Sequence, residues 1–238
     1  MIRVLDAYRF HVSDDDINVV LCGVTLTVTR SDRIGIYGPQ SSGKSTLARL
    51  ACRIERPDRG QVLHSGRVSW PLGFSGFLHL EMTGEENVAV AAGLAGETPD
   101  RAIAFVQAFT GLGGQMRHRL RTYSPACKAR LAMGCSFAFP ADIYVADDTI
   151  AVGDEEFQNR CFAELHRRMA VSGLLLVSKN RRHLEKTCSR YLALRSGKLV
   201  AASSAEEAEA NGQAGKQEQA AIPNPGRSRL AKRMKKMH

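Results

Sequence analysis

No run of 18 consecutive apolar residues occurs in the 238-residue sequence, and its longest stretch of small apolar residues, 88–96, is far shorter. No segment is therefore long enough to cross a bilayer as a helix. The opening Met1-Ile2-Arg3-Val4-Leu5-Asp6 lacks the charged-then-apolar layout of a secretory leader. Six cysteines stand at 22, 52, 127, 135, 161 and 188 with no C-x-x-C pair. That spacing suits neither a zinc site nor a small disulfide scaffold, and it reads as reduced thiols in a cytosolic protein. No internal repeat is visible. Residues 222–238 contain no acid and no Phe, Trp or Tyr.

What that segment does contain is Arg227, Arg229, Lys232, Arg233, Lys235 and Lys236. These six cations belong to a net charge of +9 and leave +3 for the residues before them. The basic excess is thus largely a property of the tail. A composition of 44% hydrophobic and 24% charged residues excludes wholesale disorder.

Residues 1–200 read as an α/β unit. The pattern predicts strands over 19–28, 33–37, 68–70, 142–146 and 174–177, and helices over 44–53, 155–170 and 181–186. Residues 83–139 are mostly helical in pattern, with breaks near Gly96, Gly111 and Tyr123. A hairpin through 191–194 and 199–201, turning at Ser196-Gly197, closes the unit. Strands alternating with helices predict a mainly parallel core sheet. From Ser203 the composition shifts to Ala, Glu, Gln, Gly, Asn and Pro, which predicts a mobile tail over 203–238.

Gly38-Pro39-Gln40-Ser41-Ser42-Gly43-Lys44-Ser45 fits G-x-x-x-x-G-K-[ST] between a predicted strand and a predicted helix. Two glycines let the backbone turn tightly and aim N–H groups at phosphate oxygens. Lys44 would face the β- and γ-phosphates, Ser45 would offer its hydroxyl to Mg²⁺, and the helix N-terminus favours an anion. Asp142-Ile143-Tyr144-Val145-Ala146-Asp147-Asp148 is an apolar strand ending in two acids. Asp147 is placed to associate with Mg²⁺ and Asp148 to approach an attacking water. A strand-end acidic pair capping the next helix is the other reading.

With these residues the chain resembles the ATP-binding subunits of ABC transporters, and more narrowly those exporting capsular polysaccharide and related surface glycans. The resemblance covers about residues 1–200. It is carried by 38–46, by Trp70-Pro71-Leu72-Gly73 through Thr83-Gly84-Glu85-Glu86-Asn87-Val88, by 123–134, and by Asp147-Asp148 through Gly153-Asp154. It implies a P-loop NTPase fold of ABC ATPase type over 1–202, with an antiparallel N-terminal β part and a helical subdomain at about 83–139.

The resemblance also implies roles. Tyr8, with Phe10 as the alternative, falls where an aromatic stacks on adenine, and Thr46 completes the phosphate loop. His79 replaces the family's glutamine, and a solvated loop histidine is the other reading. Ser124 survives from the signature loop, whose two glycine positions carry Pro125 and Ala126, followed by Cys127-Lys128. Asp148 stands at the catalytic glutamate, one methylene shorter. Lys179 stands at the switch histidine and Asp154 at an inter-subunit acid. The binding half is intact and the hydrolytic half is altered at four positions, which predicts slow hydrolysis or a subunit that works beside a better one.

The implied ligands are ATP and Mg²⁺. The implied partners are a polytopic membrane permease, docked around 74–81, and a second ATP-binding subunit, identical or not. Those partners place the chain in the cytoplasm, on the inner face of the membrane, and the basic tail could touch anionic lipid there. Two other classes compete: a non-transport ATP-binding regulator, favoured by the altered loops, and a nucleic-acid-associated ATPase using the tail. The tail's lack of aromatics for base stacking speaks against the second.

Overall fold

The computed structural model describes residues 1–12 and 17–221. Strands β1 (Ile2–Val12), β2 (Ile17–Val28) and, later, β4 (Arg59–His64) form an antiparallel sheet in the order β2-β1-β4. The second sheet runs β5-β6-β7-β3-β8-β9, built from β3 (Arg33–Tyr37), β5 (Val68–Pro71), β6 (Ile143–Asp147), β7 (Gly173–Ser178), β8 (Arg190–Arg195) and β9 (Lys198–Ala202). Its neighbours pair in parallel except β9, which returns antiparallel on β8.

Alternation along the central strands explains the layering. Ile34, Ile36, Ile143, Val145, Leu175 and Val177 join a core with α1 (Lys44–Ala51) and the antiparallel sheet. Tyr144, Ala146, Leu174 and Leu176 face the other way, onto Phe157, Cys161, Leu165 and Met169 of α5 (Glu155–Met169). Those four residues recur every fourth position, the period of one helical face. Both faces of the sheet are covered, as a parallel sheet requires. None of the six cysteines is bonded to another.

Residues 84–138 carry α2 (Gly84–Ala95), α3 (Pro99–Thr110) and α4 (Pro125–Ala138) around a third core that includes Val88, Val106, Met116 and Leu131. Gly96 and Gly111 end α2 and α3 in the left-handed conformation that glycine tolerates. Thr83 and Glu86 form a reciprocal cap at the start of α2.

The expected end of the folded unit at residue 202 needs correction. Helix α7 (Ala205–Ala221) follows α6 (Arg181–Thr187) and the β8–β9 hairpin, and it buries Ala205 and Ala208 in the core beneath α5. The segment lacks large apolar residues, but alanine and glycine let a helix approach a sheet closely. The basic residues 227–236 lie outside the described residues.

His64 joins the two halves: its ring nitrogen lies 2.7 Å from the Ala51 carbonyl at the end of α1. Burial is the main cause that lowers its pKa, and the same is true of His183 on α6. A depressed folded-state pKa means the unfolded chain takes the proton first, so stability is full above about pH 6.5 and falls as the pH drops below it. Thermal midpoints measured from pH 7.5 to 5 should fall, and His64→Gln should flatten that slope.

Candidate nucleotide site

The loop 38–45 joins the C-terminal end of β3 to α1, at the edge where β6 and β7 also end. Gly38 is buried and its N–H donates to the Ser178 carbonyl at 3.2 Å. A Cβ at Gly38 would meet Ser42 Oγ at 2.5 Å and Lys44 Cγ at 2.9 Å, so the turn needs glycine. Gly43 takes φ 96° at the start of α1, a helix with no side-chain cap and no acid in its first turn. Its first N–H groups are left for an outside acceptor, and the dipole favours that acceptor being anionic. Ser42 Oγ is buried without a protein partner.

Lys44 is only 5% exposed, and its Nζ donates to the Pro39 carbonyl at 2.7 Å. Burial depresses its pKa, and the carboxylates of Asp148 and Asp147 offset part of that effect. Lys179 acts on the same ammonium with the opposite sign. The structure thus gathers Lys44, Asp147, Asp148 and Lys179 at one place.

Asp147 closes β6. Burial raises its pKa, Ser45 and Lys44 pull it down, and its Oδ1 is buried without a partner. An orphaned buried carboxylate oxygen beside a hydroxyl suits a hard divalent cation. Among the described residues no three His, Cys, Asp or Glu side chains cluster. A cation here would therefore be held by Asp147, Ser45 and oxygens of the nucleotide itself.

Asp148 has φ 55°, an uncommon region for a residue other than glycine. Its backbone N–H donates to Val177 O at 2.8 Å, and its Oδ1 accepts from Ser178 Oγ at 2.9 Å and from the Lys179 N–H at 2.8 Å. One carboxylate oxygen is pinned to the end of β7 and the other is left. Ser178, which the sequence reading passed over, links Asp148, the loop and the Asn180 N–H that it accepts at 3.0 Å. Its only signal was a polar residue ending the run Leu174-Leu175-Leu176-Val177.

Three expected residues have partners of their own. His79 is exposed, and its backbone is clamped by Asn87, whose Oδ1 accepts at 2.7 Å and whose Nδ2 donates at 3.1 Å. Ser124 is exposed at the start of α4, accepting from the Cys127 N–H at 3.2 Å. Tyr8 lies 6.2 Å from Phe10, carries the Arg59 guanidinium at 5.5 Å, and lines a cleft of about 450 Å³ with Asp6, Gly23, Lys198 and Leu199. Phe10 pairs with Val19, next to Val20, whose side chain and carbonyl would lie 3.0 Å from a Cβ at Gly43. Phe10 is therefore in register with the strand segment beside the loop. Asp154 caps α5, accepting from Phe157 N at 3.0 Å, and pairs with Arg130 of α4.

Comparison with known proteins bears on the family and the fold. The family model described as "ABC transporter" matches residues 21–151. The ATP-binding protein BexA of Haemophilus influenzae is 32% identical over 197 residues, 83% of this chain and 91% of that protein. The capsule polysaccharide export ATP-binding protein CtrD of Neisseria meningitidis serogroup B is 31% identical over 199 residues, 84% of this chain and 92% of that protein. Among solved structures, the dimeric ATP-binding cassette MJ0796 bound to ADP and Pi in a post-hydrolysis state superposes with a TM-score of 0.71. Its identity is 17%, with 84% of this chain and 96% of that one covered.

Proposed function

This chain belongs to the ABC transporter family, and within it we propose an ATP-binding motor subunit that drives a separate membrane permease exporting a capsular or related surface polysaccharide. The observation that carries the reading is one locus. A buried lysine, an uncapped helix N-terminus and a partnerless aspartate oxygen converge where three parallel strands end. Likeness over most of the length to the capsule polysaccharide export ATP-binding protein CtrD supports the substrate class.

In this reading residues 38–46 bind and orient the triphosphate of ATP. Gly38 and Gly43 shape the loop, Pro39 holds the lysine, and Gln40 and Ser41 form its outer rim. Ser42 donates to a phosphate oxygen, and Lys44 turns from the Pro39 carbonyl to the phosphates. Mg²⁺, held by Ser45 and Asp147, supplies charge neutralisation on the phosphates when bound. Asp148 keeps the attacking water in reach through its unpinned oxygen, and Lys179 adds positive charge at the same edge. His79 acts as a water-bridging group at the permease side, and Ser124 presents its helix N-terminus to the nucleotide of a second subunit.

No helix among the described residues is long and apolar enough to cross a membrane, and in this reading the motion is handed to the permease. The docking segment is 74–81. Leu80 is 51% exposed, Phe77 packs 5.0 Å from Trp70, and Glu81 pairs with Arg119 at 3.3 Å. The chain then works at the inner face of the membrane, where the tail 222–238 meets anionic lipid.

Membranes containing the cognate permease test this directly. ATP turnover should rise when they are added. Leu80→Asp should remove the rise and the co-sedimentation while nucleotide binding stays as in wild type. Turnover and sedimentation that ignore the permease would overturn the export role.

A further inference from the structure

Helix α7 has no part in the assignments above, yet it packs against the root of the phosphate loop. Gly212 is buried against Tyr37, the residue directly before Gly38. A Cβ at Gly212 would lie 2.6 Å from Tyr37 Cδ1, 3.1 Å from Cε1 and 3.5 Å from Pro39 Cδ, and Pro39 is itself a loop residue whose carbonyl holds Lys44. Tyr37 is buried, in register between Ser178 of β7 and Ala193 of β8. One turn earlier on α7, Glu209 reaches Tyr37 Oη at 3.5 Å and Arg181 at 3.6 Å. Arg181 opens α6, two positions after Lys179. One helix therefore leans on both walls of the site, the loop from Tyr37 and Pro39 and the Lys179 segment from Arg181.

We propose that α7 is a positioning element of the nucleotide site, in which Gly212 seats the helix on Tyr37 and Pro39 and so sets the phosphate loop for ATP. The small-residue row Ala205, Ala208 and Gly212 serves that close approach, and Gly212 is the member that meets the loop. A larger residue there forces Tyr37 or α7 to shift, because ring carbons and strand backbone are confined on every side. Tyr37 has no peptide between itself and Gly38 but one, so its displacement is passed to the loop. The inference rests on reading 38–45 as the nucleotide loop.

The test uses the full chain and equilibrium binding of Mg²⁺–ATP. Gly212→Ala is expected to weaken binding about fivefold to tenfold, as a modest overpacking strain passed to the site would. Amide exchange should quicken at 38–45. In a Tyr37→Val background, which lacks the ring carbons the new methyl strikes, the same substitution should have little effect on affinity. Glu209→Ala, which adds no bulk, should weaken binding about threefold and decides the question should Gly212→Ala not fold. The proposal is overturned by wild-type affinity in Gly212→Ala, by wild-type affinity in Glu209→Ala, or by an equal loss in both Tyr37 backgrounds. Lys44→Ala separates the two failures. Binding that is lost in Lys44→Ala but untouched at 212 and 209 sinks this inference alone, while binding untouched by Lys44→Ala sinks the loop assignment.

Discussion

Replacing Lys44 with Ala weakens Mg²⁺–ATP binding about 100-fold and leaves the fold at least as stable as wild type. The first half follows from the charge-assisted bonds that an ammonium makes to phosphate, worth on the order of 1.5–3 kcal/mol each. The second half follows from what Lys44 endures without a nucleotide. It is buried, one carbonyl oxygen is its bonded partner, and burial depresses its pKa. For a lysine that direction means the charged form is disfavoured by folding at neutral pH, with stability regained as the pH rises through the folded-state pKa. Removing the ammonium relieves that burden. Isothermal titration with ATP and a thermal melt on the same sample read both effects. Unchanged affinity would remove the phosphate-loop assignment, and a melt lowered by several degrees would remove the account of the buried charge.

Asp148→Asn is expected to slow ATP turnover about 100-fold while ATP binding and stability hold. The substitution is informative because the two oxygens of Asp148 have different work. Oδ1 accepts from Ser178 Oγ and the Lys179 N–H, and the amide oxygen of asparagine can accept both bonds. Asparagine also tolerates the φ of 55° at this position. What it lacks is a basic oxygen for the water. General-base catalysis contributes roughly 10²–10⁴-fold, and the short side chain places the expected loss at the lower end. Phosphate release measured at saturating Mg²⁺–ATP is the readout. Equal rates would reduce Asp148 to a strand-end anchor.

The sequence made the catalytic sheet easy to read. Arg33–Tyr37 and the apolar runs of β6 and β7 are buried on both faces, so nearly every residue in them is hydrophobic. Gly96 and Gly111 marked helix ends because only the left-handed cap demanded them. Strand β4 was not legible, since only Val62 of its six residues is buried and the rest read as a polar loop. Helix α7 was missed for a different reason. Its buried face is alanine and glycine, which composition reads as weak, although their small size is what lets α7 reach Tyr37.

In the site, the meeting of Lys44 with Asp147 and Asp148 was foreseeable because each local motif carries its own chemistry. The surroundings of Tyr8 and Phe10 were not, because register shifts along β1 decide what each aromatic lies against. The role of Ser178 was hidden in the same way, since two of its partners, Asp148 and Gly38, come from distant segments.

The proposed reading is of a site with a complete phosphate loop at 38–46 and altered hydrolytic positions at Asp148, Lys179, His79 and the loop at Ser124. Asp148 and Lys179 lie at the Lys44 locus, where a displacement of about 1 Å can cost on the order of 100-fold. Steady-state ATP turnover of the wild-type chain beside an Asp148→Glu/Lys179→His variant tests that claim most directly, with ATP affinity checked to be equal in both. Slow turnover in wild type and at least a tenfold gain in the variant is the predicted result. Wild-type turnover that the variant leaves unchanged or lowers would contradict it.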